Sequence, residues 1–280
     1  MEKFLILEEF ERKVYLLGEL SSEEYEELDK AKNIIDILIS YKRRIDEILI
    51  NHSEYVSFTI HDTKEFIEKE PTNRIELDGY VLEINRRLIN FINSFKSFFE
   101  YLEKNFKNRY GKESIEYEKL KKYTGGLYDT YFSYKFFTHL RNFAAHNDYP
   151  IHNANFDFVY EPIFSLKIDV FFVKSHLLGD RTLKGKIEKD LKKYGEIFPI
   201  DPLLKEILAP LNGVFSNLLK IEKDHFERAV NIIESYFGEM DYKKTYHYGI
   251  STIIDNKYIK DRLKEIPNEA IEDFHNWGNS

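Results

Sequence analysis

The chain has 280 residues, with 41 Lys and Arg against 49 Asp and Glu and a formal net charge of −8. That balance excludes a surface built throughout to coat nucleic acid. The absence of cysteine excludes disulfides, thiolate metal sites and thiol nucleophiles.

No apolar run approaches the roughly 20 residues of a membrane span. The opening Met-Glu-Lys and its four following apolar residues do not read as a secretory signal. The expectation is a cytoplasmic protein without a membrane partner. Its length suits one large domain or two small ones. With 23 Phe and 20 Tyr, ring-packed helix interfaces are expected.

Residues 1–20 mix apolar and acidic residues without a period, and no element is assigned there. Ser21, Ser22, Glu23 and Glu24 carry a capping-box pattern. It opens a helix over about 22–52, with Leu28, Ile35, Leu38, Ile45 and Leu49 inward. Residues 53–70 are ambiguous: 55–60 read as a strand and 63–69 as a helix. Residues 72–109 give the strongest predicted helix. Leu77, Val81, Ile84, Leu88, Phe91, Phe95, Phe98 and Leu102 recur at alternating steps of four and three. Ile75, Leu82, Ile89, Ile92, Phe99 and Phe106 add a second apolar strip. Such a helix is a bundle strut or an oligomer interface.

Gly111 ends it. A charged helix follows over 113–123, and Gly125-Gly126 allow a turn or kink. Residues 127–146 then read as an aromatic-rich helix stopped by Pro150. Beyond it the period becomes two, so 164–173 and 156–160 are strands joined near Glu161-Pro162. Residues 246–254 are available as a third strand of that sheet. Residues 184–194 are a basic helix. Asp201 is placed to cap the next helix, with Pro202 at its first position. Residues 203–238 are helical, interrupted near Pro210 and Asn212-Gly213. Short helices are expected over 256–265 and 267–277.

The candidate chemistry lies at the end of the 127–146 helix. Phe132, Phe136, Leu140, Phe143 and Ala144 form its apolar stripe, and Lys135, His139, Asn142 and His146 a polar one facing a common cleft. From 104 to 141 there are nine Lys and Arg against four acids, a local excess suited to phosphate, although a solvated helix face has the same composition. Arg141 and His146 are five residues apart, about 140° of helical rotation. They converge only if the helix ends between them or a second copy of the motif supplies the partner. The plain alternative is a helix-ending His146 bonded to a free carbonyl, with Arg141 as a C-terminal cation. His146, Asp148 and His152 are a conceivable zinc set, but their spacing matches no known site, and no metal ligand is assigned.

The run Arg141-Asn142-Phe143-Ala144-Ala145-His146, at the end of an aromatic helix, resembles the R-x4-H signature of the HEPN superfamily. The resemblance covers about 72–150 and part of the later helices. Some HEPN toxins carry a tyrosine two places after the histidine; here Asp148 stands there and Tyr149 follows.

The resemblance implies a mainly α fold: a HEPN-like helical bundle with a small antiparallel β-insertion after the motif helix. It also implies a metal-independent endoribonuclease without cofactor, of toxin or antiviral-defence type, cleaving single-stranded RNA. The catalytic residues would be Arg141 and His146 with Asn142 in support. Lys135, His139, Tyr149, Lys121 and Lys122 would contact substrate. The site would be composite, built by a homodimer, with RNA as substrate and a cognate antitoxin or regulatory protein as a further partner. The competing reading is a non-catalytic HEPN-like module for dimerisation and for binding nucleotide, RNA or protein. The organisation expected is a helical segment over 1–70 and a HEPN-like domain over 71–280, with the insertion at about 155–180. No linker separates them, so one continuous domain is equally compatible.

Overall fold

The computed structural model describes residues 2–9, 14–60, 74–152, 154–159, 165–238, 246–254, 257–258 and 264–278. In chain order the elements are strands β1 (Glu2–Glu9) and β2 (Val14–Leu20), then helices α1 (Ser22–Ile60), α2 (Arg74–Tyr110), α3 (Ile115–Thr130) and α4 (Phe132–His146). Strands β3 (Ala154–Val159) and β4 (Ser165–Val173), helices α5 (Lys174–Gly179) and α6 (Arg181–Leu191), and strand β5 (Ile197–Pro199) follow. Helices α7 (Asp201–Glu206) and α8 (Leu208–Phe237), strands β6 (Tyr246–Ile254), β7 (Lys257–Tyr258) and β8 (Lys264–Glu265), and helix α9 (Asn268–Gly278) complete the order. The fold is mainly helical with small antiparallel sheets, and no described helix is long and apolar enough to cross a membrane. Contacts divide the chain into one unit of Met1–Arg43 with Phe215–Ser280 and another of Arg44–Val214.

In the first unit, β1 pairs antiparallel with both β2 and β6, and β6 also carries β7 and β8. Leu5, Ile6, Tyr248 and Ile250 are buried from this sheet. The capping box forms as its sequence predicts: Glu24 N donates to Ser21 Oγ at 3.2 Å, and Ser21 N to Glu24 Oε2 at 2.8 Å. From there Leu28, Ala31, Ile35 and Leu38 are buried at helical spacing. Phe226, Ala229, Val230 and Ile233 of α8 and Ala270, Ile271 and Phe274 of α9 are buried too. The fully buried Glu222 accepts a 2.7 Å hydrogen bond from the Tyr41 hydroxyl, which gives the carboxylate a donor where water is excluded.

Residues 2–9 and 14–20, left unassigned by the sequence, pair as antiparallel strands, and two expectations change. The strand at 246–254 joins β1 rather than the sheet after the motif. The described part of 256–265 contributes two short strands paired to β6, not a helix. The β1–β6 pairing joins Glu2–Glu9 to Tyr246–Ile253, near opposite ends of the chain, which periodicity within a short window cannot register.

The second unit is organised by α2. Ile84, Leu88, Phe91, Ile92, Phe95, Phe98, Leu102 and Phe106 are buried, as their spacing predicts. Of the second strip, Leu82 is exposed to 53 %. Gly111, at φ 87°, ends the helix in the left-handed conformation that glycine adopts without steric cost. Helix α3, capped by Ser114 Oγ on Tyr117 N, runs unbroken through Gly125-Gly126 to Thr130. The break falls instead at Tyr131, extended at φ −107° and ψ 113°, so the aromatic helix begins at Phe132 rather than at 127. Permissive glycines allow a kink but do not demand one when the flanking turns stay bonded.

The β-insertion has the order β3-β4-β5, with Phe156↔Ile168 and Phe172↔Phe198 in register; its expected link at Glu161-Pro162 lies outside the described residues. Residues 55–60 continue α1 rather than forming a strand, and 61–73 lie outside the description. Ile200, not Asp201, is the N-cap of α7, leaving Asp201 in the first turn. The interruption expected near Pro210 sits at Ile207. Pro210 lies in the first turn of α8, where its missing N–H costs no hydrogen bond.

Candidate functional site

Aromatic packing seats the motif helix α4 on two sides. Toward α2, Phe137 meets Phe91 edge-on at 5.5 Å, and Tyr134 meets Phe95 and Phe99 at 5.2 and 4.8 Å. Toward the β-insertion, Phe136 meets Phe172 at 5.1 Å and Phe198 at 6.3 Å. Phe136, Phe137 and Leu140 are wholly buried, each worth about 1.5–3 kcal/mol of transfer free energy. At the N-terminus the Glu206 carboxylate of α7 accepts from Ser133 N at 2.6 Å. It satisfies an end N–H and adds a favourable charge to the helix dipole.

The other end is held by the chain beyond it. Asn147 N donates to Phe143 O at 2.9 Å, closing the last turn. Pro150 and Ile151 are buried. Asn85 of α2 then clasps Ile151 on both sides, donating from Nδ2 to its carbonyl at 2.6 Å and accepting from its N–H at 3.0 Å. Four residues therefore separate His146 from a fixed point on α2, and the exit path of the motif is set.

The predicted polar row does not face one cleft as a set. Lys135 is tied to Asp190 Oδ2 at 2.7 Å, and that hydrogen bond raises its pKa. His139 shares a 2.8 Å hydrogen bond with the Tyr128 hydroxyl. Burial first, then the nearby Lys186, Lys96 and Lys135, lowers its pKa to about 4. A histidine neutral throughout the physiological range holds no proton to give. Asn142 and His146 are exposed. Arg141 is half-buried, and its Nη1 reaches Asn142 Oδ1 at 3.5 Å. Among the described residues its buried Nε has no hydrogen-bond partner. Among the described residues none hydrogen-bonds His146, so its imidazole is not spent on a free carbonyl. Helix α4 includes both Arg141 and His146, so no helix end between them brings the two together.

The remaining candidates are dispersed. Tyr149 is 50 % exposed. Lys121 pairs with Glu103 at 3.3 Å, and Lys122 is exposed. A cleft of about 250 Å³ is lined by Lys96, Phe99, Glu103, Lys121, Tyr128 and Tyr134 among others, but not by Arg141 or His146. Its lysines and glutamates alternate in sign, so the basic excess of 104–141 is partly neutralised where it meets α2.

Just past the motif, the loop meets α5. His152 Nε2 lies 2.8 Å from His176 Nε2 and 3.4 Å from Asp148 Oδ2. His176 Nε2 also lies 3.2 Å from the Tyr149 carbonyl oxygen. Asp148, His152 and His176 are the one described group of three His or acidic residues whose ligand atoms come within 4.8 Å of one another. The conceivable set that included His146 is thus replaced by one containing His176.

Asn85, Glu206 and His176 were not singled out from the sequence. Asn85 leaves a trace there, as a lone amide beside Ile84 on the apolar face of the most regular helix. His176 and Glu206 leave none, because their roles depend on pairings across many residues. No protein-family model, curated protein or solved structure matches the chain.

Proposed function

We propose that the chain is a metal-independent endoribonuclease of the HEPN type, with a HEPN-like bundle around α2 and α4, acting on single-stranded RNA as a toxin or antiviral effector. The observation that carries this reading is the state of the motif's end. Among the described residues His146 is exposed with no hydrogen-bond partner, and the buried Arg141 Nε–H meets no acceptor. Buried donors are almost always paired, and a phosphate oxygen is an acceptor suited to this one.

RNA brings its own nucleophile, the 2′-hydroxyl. The His146 imidazole takes that proton or returns one to the departing 5′-oxygen. The guanidinium holds the scissile phosphate and the charge that gathers on it, and Asn142 binds a phosphate oxygen or orients the arginine. The products are a 2′,3′-cyclic phosphate and a 5′-hydroxyl. Because α4 keeps Arg141 and His146 roughly 140° apart, the second set of groups comes from another copy of the chain, as a twofold composite site requires.

The test is cleavage of a single-stranded RNA in EDTA by the wild type beside Arg141→Ala and His146→Ala, with folding checked by circular dichroism. Cleavage to cyclic-phosphate ends by the wild type, lost in both folded variants, supports the reading. Cleavage that persists in both variants places the activity elsewhere. RNA binding without cleavage supports the second reading, a non-catalytic module for RNA, nucleotide or a partner protein. The internal pairing of Lys135 and His139 favours that second reading, since it removes two polar groups from the row.

A further inference from the structure

We propose that Asp148, His152 and His176 bind a late first-row transition-metal dication, zinc(II) foremost, with the Tyr149 carbonyl oxygen supplying a fourth ligand. The inference does not rest on the ribonuclease reading. It rests on a conflict over a single proton. His152 Nε2 has two close neighbours, the acceptor-only Asp148 Oδ2 at 3.4 Å and His176 Nε2 at 2.8 Å. His176 Nε2 in turn faces the Tyr149 carbonyl at 3.2 Å, which also demands a donor. If both ring nitrogens carry hydrogen, two N–H groups point at each other across 2.8 Å. If only His176 does, Asp148 faces a lone pair; if only His152 does, Tyr149 O does. No assignment of protons to the two rings satisfies all four atoms. A dication does, because two nitrogen and two oxygen lone pairs can meet it together.

The spacing and the supports agree with that. Bonds of about 2.0–2.1 Å in tetrahedral array place ligand atoms roughly 3.3 Å apart. The 3.4 and 3.2 Å separations are close to this, the three side-chain ligand atoms lie within 4.8 Å of one another, and the His152–His176 pair opens by about half an ångström to reach it. The ligands are also oriented from outside. Asp148 Oδ1 accepts from Tyr149 N at 2.8 Å, leaving Oδ2 free to turn inward. The His176 ring is held edge-on by Phe143, with centroids 5.2 Å apart at 89°. Two imidazoles with one carboxylate select zinc, cobalt, nickel or copper over magnesium or calcium, which prefer all-oxygen shells. The ion joins the loop at 147–152 to α5 and so braces the exit of the motif helix. It supplies no reacting group.

The experiment titrates the chelator-treated full chain with cobalt(II) chloride, followed by its visible absorption, and then displaces cobalt with zinc(II) chloride under calorimetry. The expected result is one equivalent per chain, with the intense ligand-field bands of a low-coordinate cobalt site that zinc abolishes. His152→Ala and Asp148→Asn/His152→Ala should each weaken binding by more than about 100-fold, because loss of a direct ligand exceeds the loss from an outer partner. His176→Gln should do the same; if its contact with Phe143 prevents folding, the exposed His152 decides. His146→Ala should leave binding unchanged. Absence of stoichiometric uptake by the wild type overturns the proposal. So does full-affinity binding by the double variant, or loss of binding on His146→Ala, which would move the site to a different histidine. No RNA enters the measurement, so its outcome and that of the cleavage assay are read separately.

Discussion

The first turns of α4 and its last turn are made of opposite materials. From 132 to 140 the helix is clamped between α2 and the β-insertion by Phe136, Phe137 and Leu140, none of which reaches solvent. Two of its polar groups are engaged as well, Lys135 by Asp190 and His139 by Tyr128. From 141 to 146 Asn142, Ala145 and His146 are exposed and Arg141 is half-buried. One end supplies order and the other supplies groups free to act. Rigid seating is what lets a short exposed turn hold side chains in a fixed direction.

That contrast can be broken from either end. His146→Ala should lower cleavage by about 10²–10⁴-fold, the usual contribution of a proton-transfer group. It should change the unfolding free energy by no more than about 0.5 kcal/mol. The pairing of a kinetic assay with urea denaturation checks both halves. Phe136→Ala should do the reverse, costing about 3–5 kcal/mol through the cavity it leaves, read as a fall in urea midpoint at unchanged slope. Asn85→Ala strands both backbone groups of Ile151 and should cost on the order of 3 kcal/mol. A loss near zero would mean that water replaces the clasp. Lys135→Ala should cost about 1 kcal/mol or less, because its partly exposed ion pair with Asp190 is screened.

A further effect sharpens the comparison by pH. His139 is held neutral in the folded chain down to about 4, whereas in the unfolded chain it titrates near 6.5. Between these values the unfolded state binds the extra proton. Stability is therefore fully present above about 6.5 and declines as pH falls toward 4. His139→Gln should flatten that slope between pH 7 and 5 in urea titrations, and an unchanged slope would assign it to other groups.

The strut at 74–110 was legible because burial along it follows a local period, from Ile84 to Phe106, and the stop at Gly111 has its own residue chemistry. The β-insertion was legible for the same reason, as an alternation over 165–173. The helical placement of the run from Arg141 to His146 was legible too, but not its surroundings. Whether Lys135 and His139 face a cleft depends on Asp190 and Tyr128, which no helical projection brings near. The sheet built on β1 was illegible because Phe4, Leu5, Ile6 and Leu7 form a continuous apolar run, which has no period to read. The glycine pair at 125–126 misled for a complementary reason: conformational freedom marks where a chain can turn, not where it does.

The clasp between Asn85 and Ile151 has a spectroscopic consequence. Amides in connecting segments usually exchange with solvent in seconds or faster, because nothing protects them. The Ile151 amide is buried and bonded to a side chain of the central helix, so it can open only when the loop leaves α2. Its deuterium uptake should track that detachment, while the amides of its exposed neighbours at 147–149 exchange sooner. A single slow proton, observable by heteronuclear NMR, thus reports the docking of the segment that follows His146.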